Sequence, residues 1–89
     1  MASARVVNIR TDKYDLYIGR PSVWGNPFVI GRDGDRDEVI KLYKSWILCQ
    51  DDLLDRLPEL IGKTLGCFCK PEACHGDVLV DLVNRLVGV

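Results

Sequence analysis

This chain has almost no net charge, one histidine, one methionine and few aromatic residues. Each shortage excludes something. A formal charge of −1 leaves no basic surface for non-specific nucleic-acid binding, although a local basic pocket stays open. The chain has no apolar run of about 18 residues, so nothing in it is expected to span a membrane. The opening MASARVVNIR lacks the apolar centre of a secretory signal. The expectation is therefore a cytoplasmic protein with reduced cysteines. No internal repeat and no low-complexity tract is visible. Eighty-nine residues leave no room for a second core, so residues 1–89 are read as one domain. A domain this small buries a modest fraction of its surface, and a metal or a partner subunit would help it.

The residues present are those of a globular protein, 47% hydrophobic and 28% charged. Arg5–Arg10 (RVVNIR) and Tyr14–Ile18 (YDLYI) are short runs rich in β-branched or aromatic residues and predict two strands. The short polar segment between them permits a hairpin. Residues 19–34 hold four glycines and two prolines, which excludes helix and regular strand. Yet Trp24 and Phe28 lie in that loop, so it either packs on the core or walls a pocket. Asp35–Gln50 is the clearest helix. Asp35 and Glu38 have capping-box spacing, and Val39, Leu42, Tyr43, Trp46, Ile47 and Cys49 recur at three- and four-residue steps. Cys49 is read as core filler.

Asp51–Leu60 predicts a shorter helix that Pro58 ends or distorts. After Gly62, Thr64–Cys69 predicts a buried strand stopped by Pro71. Ala73–Val87 predicts the last helix. Its apolar surface is wide enough to suggest burial on more than one side, and a homodimer through this helix is one explanation. The order β-β-α-α-β-α implies a small α/β sandwich with a mixed three-stranded sheet and about three helices. Ligands in such folds sit beyond the carboxyl ends of strands, beside helix N-termini, and Lys70–Gly76 occupies that place.

The densest chemistry lies in KTLGCFCKPEACHGD, residues 63–77. Cys67, Cys69 and Cys74 fall there with the single histidine, His75. Same-face neighbours on a strand lie about 6.6 Å apart at Cα, near the upper limit for a disulfide, so all four cysteines are read as thiols or ligands. Three readings stay open. Cys67, Cys69, Cys74 and His75 are the right donors for zinc, though the spacing is unlike paired knuckles. The strand-to-helix turn also suits an anion. Backbone N–H groups and the helix dipole would face it, Lys70 and His75 would add charge, Gly76 would permit close approach, and Cys74 would gain thiolate character. The third reading is small buried thiols with a helix-start histidine.

A second constellation, YIGRPSVWGNPF, follows the second strand. Arg20 is placed to aim a guanidinium at a phosphate or carboxylate. Trp24 or Phe28 could stack on a flat ring, and Asn26 could read its edge. The structural alternative makes Asn26 and Ser22 turn residues and Trp24 core.

The runs YIGRPSVWGNPF, GRDGDRDEVIKLYKSWIL and LIGKTLGCFCKPEACHGDVLVDLVN resemble the domain-of-unknown-function family 4326, found in bacteria and tailed phages. The resemblance runs from about Val7 to Asn84. Its pattern residues map onto Arg20, Pro21, Trp24, Gly25, Asn26, Pro27, Phe28, Gly66, Cys67, Cys69, Pro71, Cys74, His75, Gly76 and Asp77. It implies no activity, but phage and bacterial company makes nucleotide or modified-base handling an expectation by association. The tail LGCFCKPEACHGDVLVDLV is also similar to the end of another uncharacterised α/β family. That family carries Arg after the His, where this chain has Gly76.

The resulting expectation is a domain that binds a nucleotide-like or other anionic ligand, with or without turnover. Arg20, Ser22, Trp24, Asn26, Lys70 and Gly76 are the candidate binding residues, and His75, Asp77 and Cys74 the candidates for catalysis. The alternative is a zinc-stabilised module that contacts a phage or host protein, with Cys67, Cys69, Cys74 and His75 as ligands.

Overall fold

The computed structural model describes residues 4–70 and 72–88. Pro71, expected to stop the last strand, lies outside them. The elements are β1 (Arg5–Asn8), β2 (Leu16–Tyr17), α1 (Arg36–Ile47), α2 (Asp51–Arg56), a 3-10 turn (Leu57–Leu60), β3 (Thr64–Cys67) and α3 (His75–Leu86). The chain is therefore α/β, with a three-stranded sheet.

The sheet order is β1-β3-β2, and both pairings are parallel. The expected mixed sheet does not form, nor does the hairpin that the short connection permits. The reason lies in β3, whose Leu65, Gly66 and Cys67 are all buried while β1 and β2 are only half covered. The most apolar strand takes the centre, where both faces are covered, and separates the other two. Leu65 pairs with Val6 on one side and Leu16 on the other, Gly66 with Val7 and Tyr17. Asp15 extends the β2 edge, its carboxylate accepting from Thr64 N at 2.8 Å. A Cβ on Gly66 would lie 2.6 Å from Ile9 and 2.7 Å from the Tyr14 ring, so only glycine lets those side chains close over the strand.

Parallel alignment has one consequence for function. All three strands end on the same rim, and α3 starts there, one short connection after β3.

The helices follow their signals closely. Asp35 accepts from Glu38 N at 2.9 Å and Glu38 returns a bond to Asp35 N at 3.0 Å, completing the capping box. Val39, Tyr43 and Ile47 form the buried stripe of α1. The helix ends before Cys49, which is exposed rather than core. Helical phase would have placed it on the apolar face only had the helix continued. Pro58 falls in the first turn of the 3-10 segment, where its missing N–H costs nothing, and Leu57 and Leu60 stay buried. Much of the apolar surface of α3 is used within the chain, while Leu86 stays exposed. The helix packs on β1, on α1 and on the 3-10 turn, burying Val78, Leu79 and Val83. Among the described residues no helix is long and apolar enough to cross a membrane.

Candidate functional site

A cleft of about 480 Å³ opens at the carboxyl rim of the sheet. Its walls come from four places: the end of β2 (Tyr17, Gly19, Arg20), the following loop (Asn26, Phe28, Val29, Ile30), the first turns of α1 (Arg36, Val39, Ile40), and the β3–α3 junction (Cys67, Phe68, Cys69, Ala73, Cys74, His75). The two constellations far apart in sequence thus meet. Arg20 and His75 line one cavity.

The joint between them is a hydrogen bond. His75 Nε2 lies 2.7 Å from the Ile18 carbonyl. A carbonyl only accepts, so the proton sits on Nε2 and Nδ1 remains the basic nitrogen. The ring is 7% exposed and meets Tyr43 edge-on at 5.0 Å. Burial pushes its pKa below the ordinary imidazole value, with Arg20 adding to the fall and the Ile18 bond opposing it. His75 is therefore a neutral imidazole at neutral pH. Tyr43 is fully buried, and its hydroxyl donates to Trp24 O at 2.8 Å, so burial holds its pKa above the phenol range.

At the floor, Cys67 Sγ and Cys74 Sγ are 3.4 Å apart. The S–H of Cys74 lowers the Cys67 pKa to about 6, burial opposes it, and the backbone N–H groups of Cys69 and Lys70 add to the lowering. Cys74 moves the other way, raised first by its bond to Cys67 and then by burial. The pair therefore releases its first proton below the ordinary thiol range and its second above it.

The cations are arranged unequally. Arg20 is exposed at the cleft mouth, and none of the ion pairs among the described residues involves it. Arg36 donates one Nη1 hydrogen to Ala73 O at 3.0 Å. Arg32 is turned away, forked onto Asp33 and Pro27 O. Phe68 is 55% exposed at the rim, edge-on to Tyr17 and under the Arg10 guanidinium.

Several candidates from the sequence have structural roles instead. Trp24 is 2% exposed and does not line the cleft, so it offers no face to a ring there. Asn26 lines the cleft, but both ends of its amide serve the backbone: Nδ2 donates to Val39 O at 3.2 Å, and Oδ1 accepts from Phe28 N at 2.9 Å. Ser22 Oγ is buried without a hydrogen-bond partner among the described residues, away from the cleft. Lys70 pairs with Asp77, and Asp77 also caps α3 by accepting from Cys74 N at 3.1 Å. Neither residue lines the cleft. Gly76 does permit a close approach, but to protein: a Cβ there would lie 2.8 Å from both Ile18 and Val6. Its smallness seats α3 on the sheet.

Among the described residues no group of three or more His, Cys, Asp or Glu side chains is disposed to hold a metal ion. His75 spends Nε2 on Ile18 O, and Cys67 and Cys74 are turned to each other.

Sequence reasoning passed over Arg36, Phe68 and Tyr17. Arg36 carries no distinguishing motif. Phe68 falls within the strand expected over Thr64–Cys69. The strand ends at Cys67, and that change of course exposes it.

A protein from Enterobacteria phage T4, described as an uncharacterized 12.4 kDa protein in the nrdA-td intergenic region, is 39% identical over 87 residues, covering 92% of this chain and 79% of its own length. Uncharacterized protein R718 of Acanthamoeba polyphaga mimivirus is 33% identical over 110 residues, covering 97% and 84%. No solved structure matches the chain. The profile of the domain of unknown function DUF4326 covers residues 3–85, and the chain belongs to that family.

Proposed function

We propose that the cleft binds a small anionic ligand carrying a flat ring, a nucleotide being the type case. One observation carries the reading. An arginine outside every ion pair among the described residues lines the same cavity as Tyr17, Phe28, Phe68 and the start of α3. Planar guanidinium groups match phosphate or carboxylate with two parallel hydrogen bonds, and Arg20 has its whole fork available. Arg36 keeps the rest of its donors for the same anion. The first turn of α3 contributes partial positive charge. Phe28 and Phe68 supply the apolar and π surface on which a ring settles. A neutral His75 adds an acceptor at Nδ1 rather than a third positive charge. The cleft volume falls in the range of small-molecule sites.

Thermal denaturation with pyrophosphate and with nucleoside mono- and triphosphates tests this. At a hundredfold excess over Kd, a ligand of the folded state adds about 2.7 kcal/mol. Wild type is expected to gain this with at least one of the phosphates, and Arg20→Ala to lose the gain while keeping its unliganded melting temperature. No gain in wild type, or an equal gain in Arg20→Ala, overturns the reading.

A further inference from the structure

The cleft floor carries chemistry that anion binding does not need. We propose that Cys67 and Cys74 are a thiol–disulfide exchange pair opening onto the cleft, with Cys67 as the attacking sulfur, Cys74 as the resolving sulfur, and a small-molecule disulfide as the partner.

The geometry is the first support. The two sulfurs are 3.4 Å apart, both residues line the cleft, and neither is in a disulfide. Bond formation requires them to come about 1.3 Å closer, within reach of side-chain rotation. One sulfur sits at the end of β3 and the other at the N-cap of α3, so the scaffold fixes their separation on two rigid elements. The electrostatics are the second support. The contact with Cys74 lowers the Cys67 pKa and raises that of Cys74, and the backbone N–H groups of Cys69 and Lys70 favour the thiolate at Cys67. The order of events follows that direction, because thiolates attack and thiols do not.

The exchange balances as follows. The Cys67 thiolate attacks one sulfur of the disulfide RSSR. The S–S bond breaks, and RS⁻ leaves and takes up a proton. A mixed disulfide remains on Cys67. Cys74 then gives its proton to solvent or to the second leaving thiolate and attacks Cys67 Sγ. The products are the Cys67–Cys74 disulfide and two RSH. The protein loses two hydrogens and two electrons, and RSSR gains them. Run backwards, the same steps reduce the protein pair with a thiol.

The test uses the full chain in a Cys49→Ser background, because exposed Cys49 would react on its own account. Reduced protein is treated with oxidised glutathione and read by intact mass and peptide mapping. Three results are expected. The parent loses two hydrogens and maps a 67–74 bridge. Cys74→Ser stops with one glutathione on Cys67. Cys67→Ser forms no bridge and takes no glutathione at Cys74. A bridge involving Cys69, an adduct of Cys74→Ser that is not on Cys67, or no reaction of the parent overturns the proposal. A second readout needs no variant. The pH dependence of alkylation at Cys67 in the parent should have its midpoint near the lowered value of about 6, and a midpoint in the ordinary thiol range near 8.5 contradicts it. Neither readout depends on phosphate binding, so this proposal and the anion reading can fail separately.

Discussion

The loop after β2 and the junction between β3 and α3 face each other across one cleft, yet they use their residues differently. The loop is mostly scaffold. Trp24 is core and Asn26 ties the loop to α1, while Arg20, Phe28, Val29 and Ile30 line the cleft. The junction gives the cleft its thiols and its imidazole. Cys67, Cys74 and His75 are all buried, with the two sulfurs 3.4 Å apart and His75 Nε2 bonded to Ile18 O. Lys70 pairs with Asp77, and Asp77 caps the helix. Aromatic and amide residues in a glycine-rich loop look like recognition elements in a sequence. In this molecule Trp24 and Asn26 hold the loop against the core and α1.

Four measurements break or sharpen this contrast, beginning with the largest effect. Trp24→Ala should cost about 3–5 kcal/mol of folding stability by chemical denaturation, as expected for an emptied core site. A loss under about 1 kcal/mol would return Trp24 to the surface and to the stacking role.

Gly76→Ala should cost about 1–3 kcal/mol, because the new methyl meets Ile18 and Val6 at 2.8 Å. If the variant keeps its stability and loses only ligand binding, the close approach at Gly76 is to ligand after all.

The pH dependence of melting separates the two regions a second way. Folded Cys67 and folded His75 both have pKa values below their unfolded ones. Between folded and unfolded values the unfolded chain binds more protons, so stability rises with pH. For Cys67 the window runs from about 6 to the ordinary thiol range, and for His75 it lies below the ordinary imidazole value. Under reducing conditions the melting temperature should climb from pH 5 to 8, with a contribution on the order of 1–2 kcal/mol. Cys67→Ser should flatten the upper part of the climb and His75→Gln the lower. A fall in stability over that range contradicts both assignments.

Arg20→Ala should have the smallest effect on folding, within about 0.5 kcal/mol, since the side chain is exposed and outside every ion pair among the described residues. A larger loss would make Arg20 another structural residue of the loop.

How much of this was legible in the sequence follows from what each feature depends on. The capping box at Asp35 and Glu38, the buried stripe of α1 and the distortion at Pro58 are local, and spacing alone reveals them. The meeting of Arg20 with His75 was also legible, because strand ends and helix starts share a rim in α/β folds. The strand order was not. It depends on which strand is most buried, and the short segment between β1 and β2 pointed to a hairpin instead. The contact between Cys67 and Cys74 was not legible for a similar reason: it depends on how the end of β3 meets the start of α3, which no residue pattern announces. Cys49 shows the limit of periodicity: one helical turn fewer than expected moved it from core to solvent.

The most direct test of the account is amide chemical-shift mapping on isotope-labelled protein titrated with a nucleoside monophosphate. The prediction is saturable, concerted shifts at Arg20, Phe28, Phe68 and His75, on both sides of the cleft. Shifts confined to the shallow hollow formed by Val7, Thr11, Asp12 and Lys70, or no saturable shifts at millimolar ligand, would contradict it.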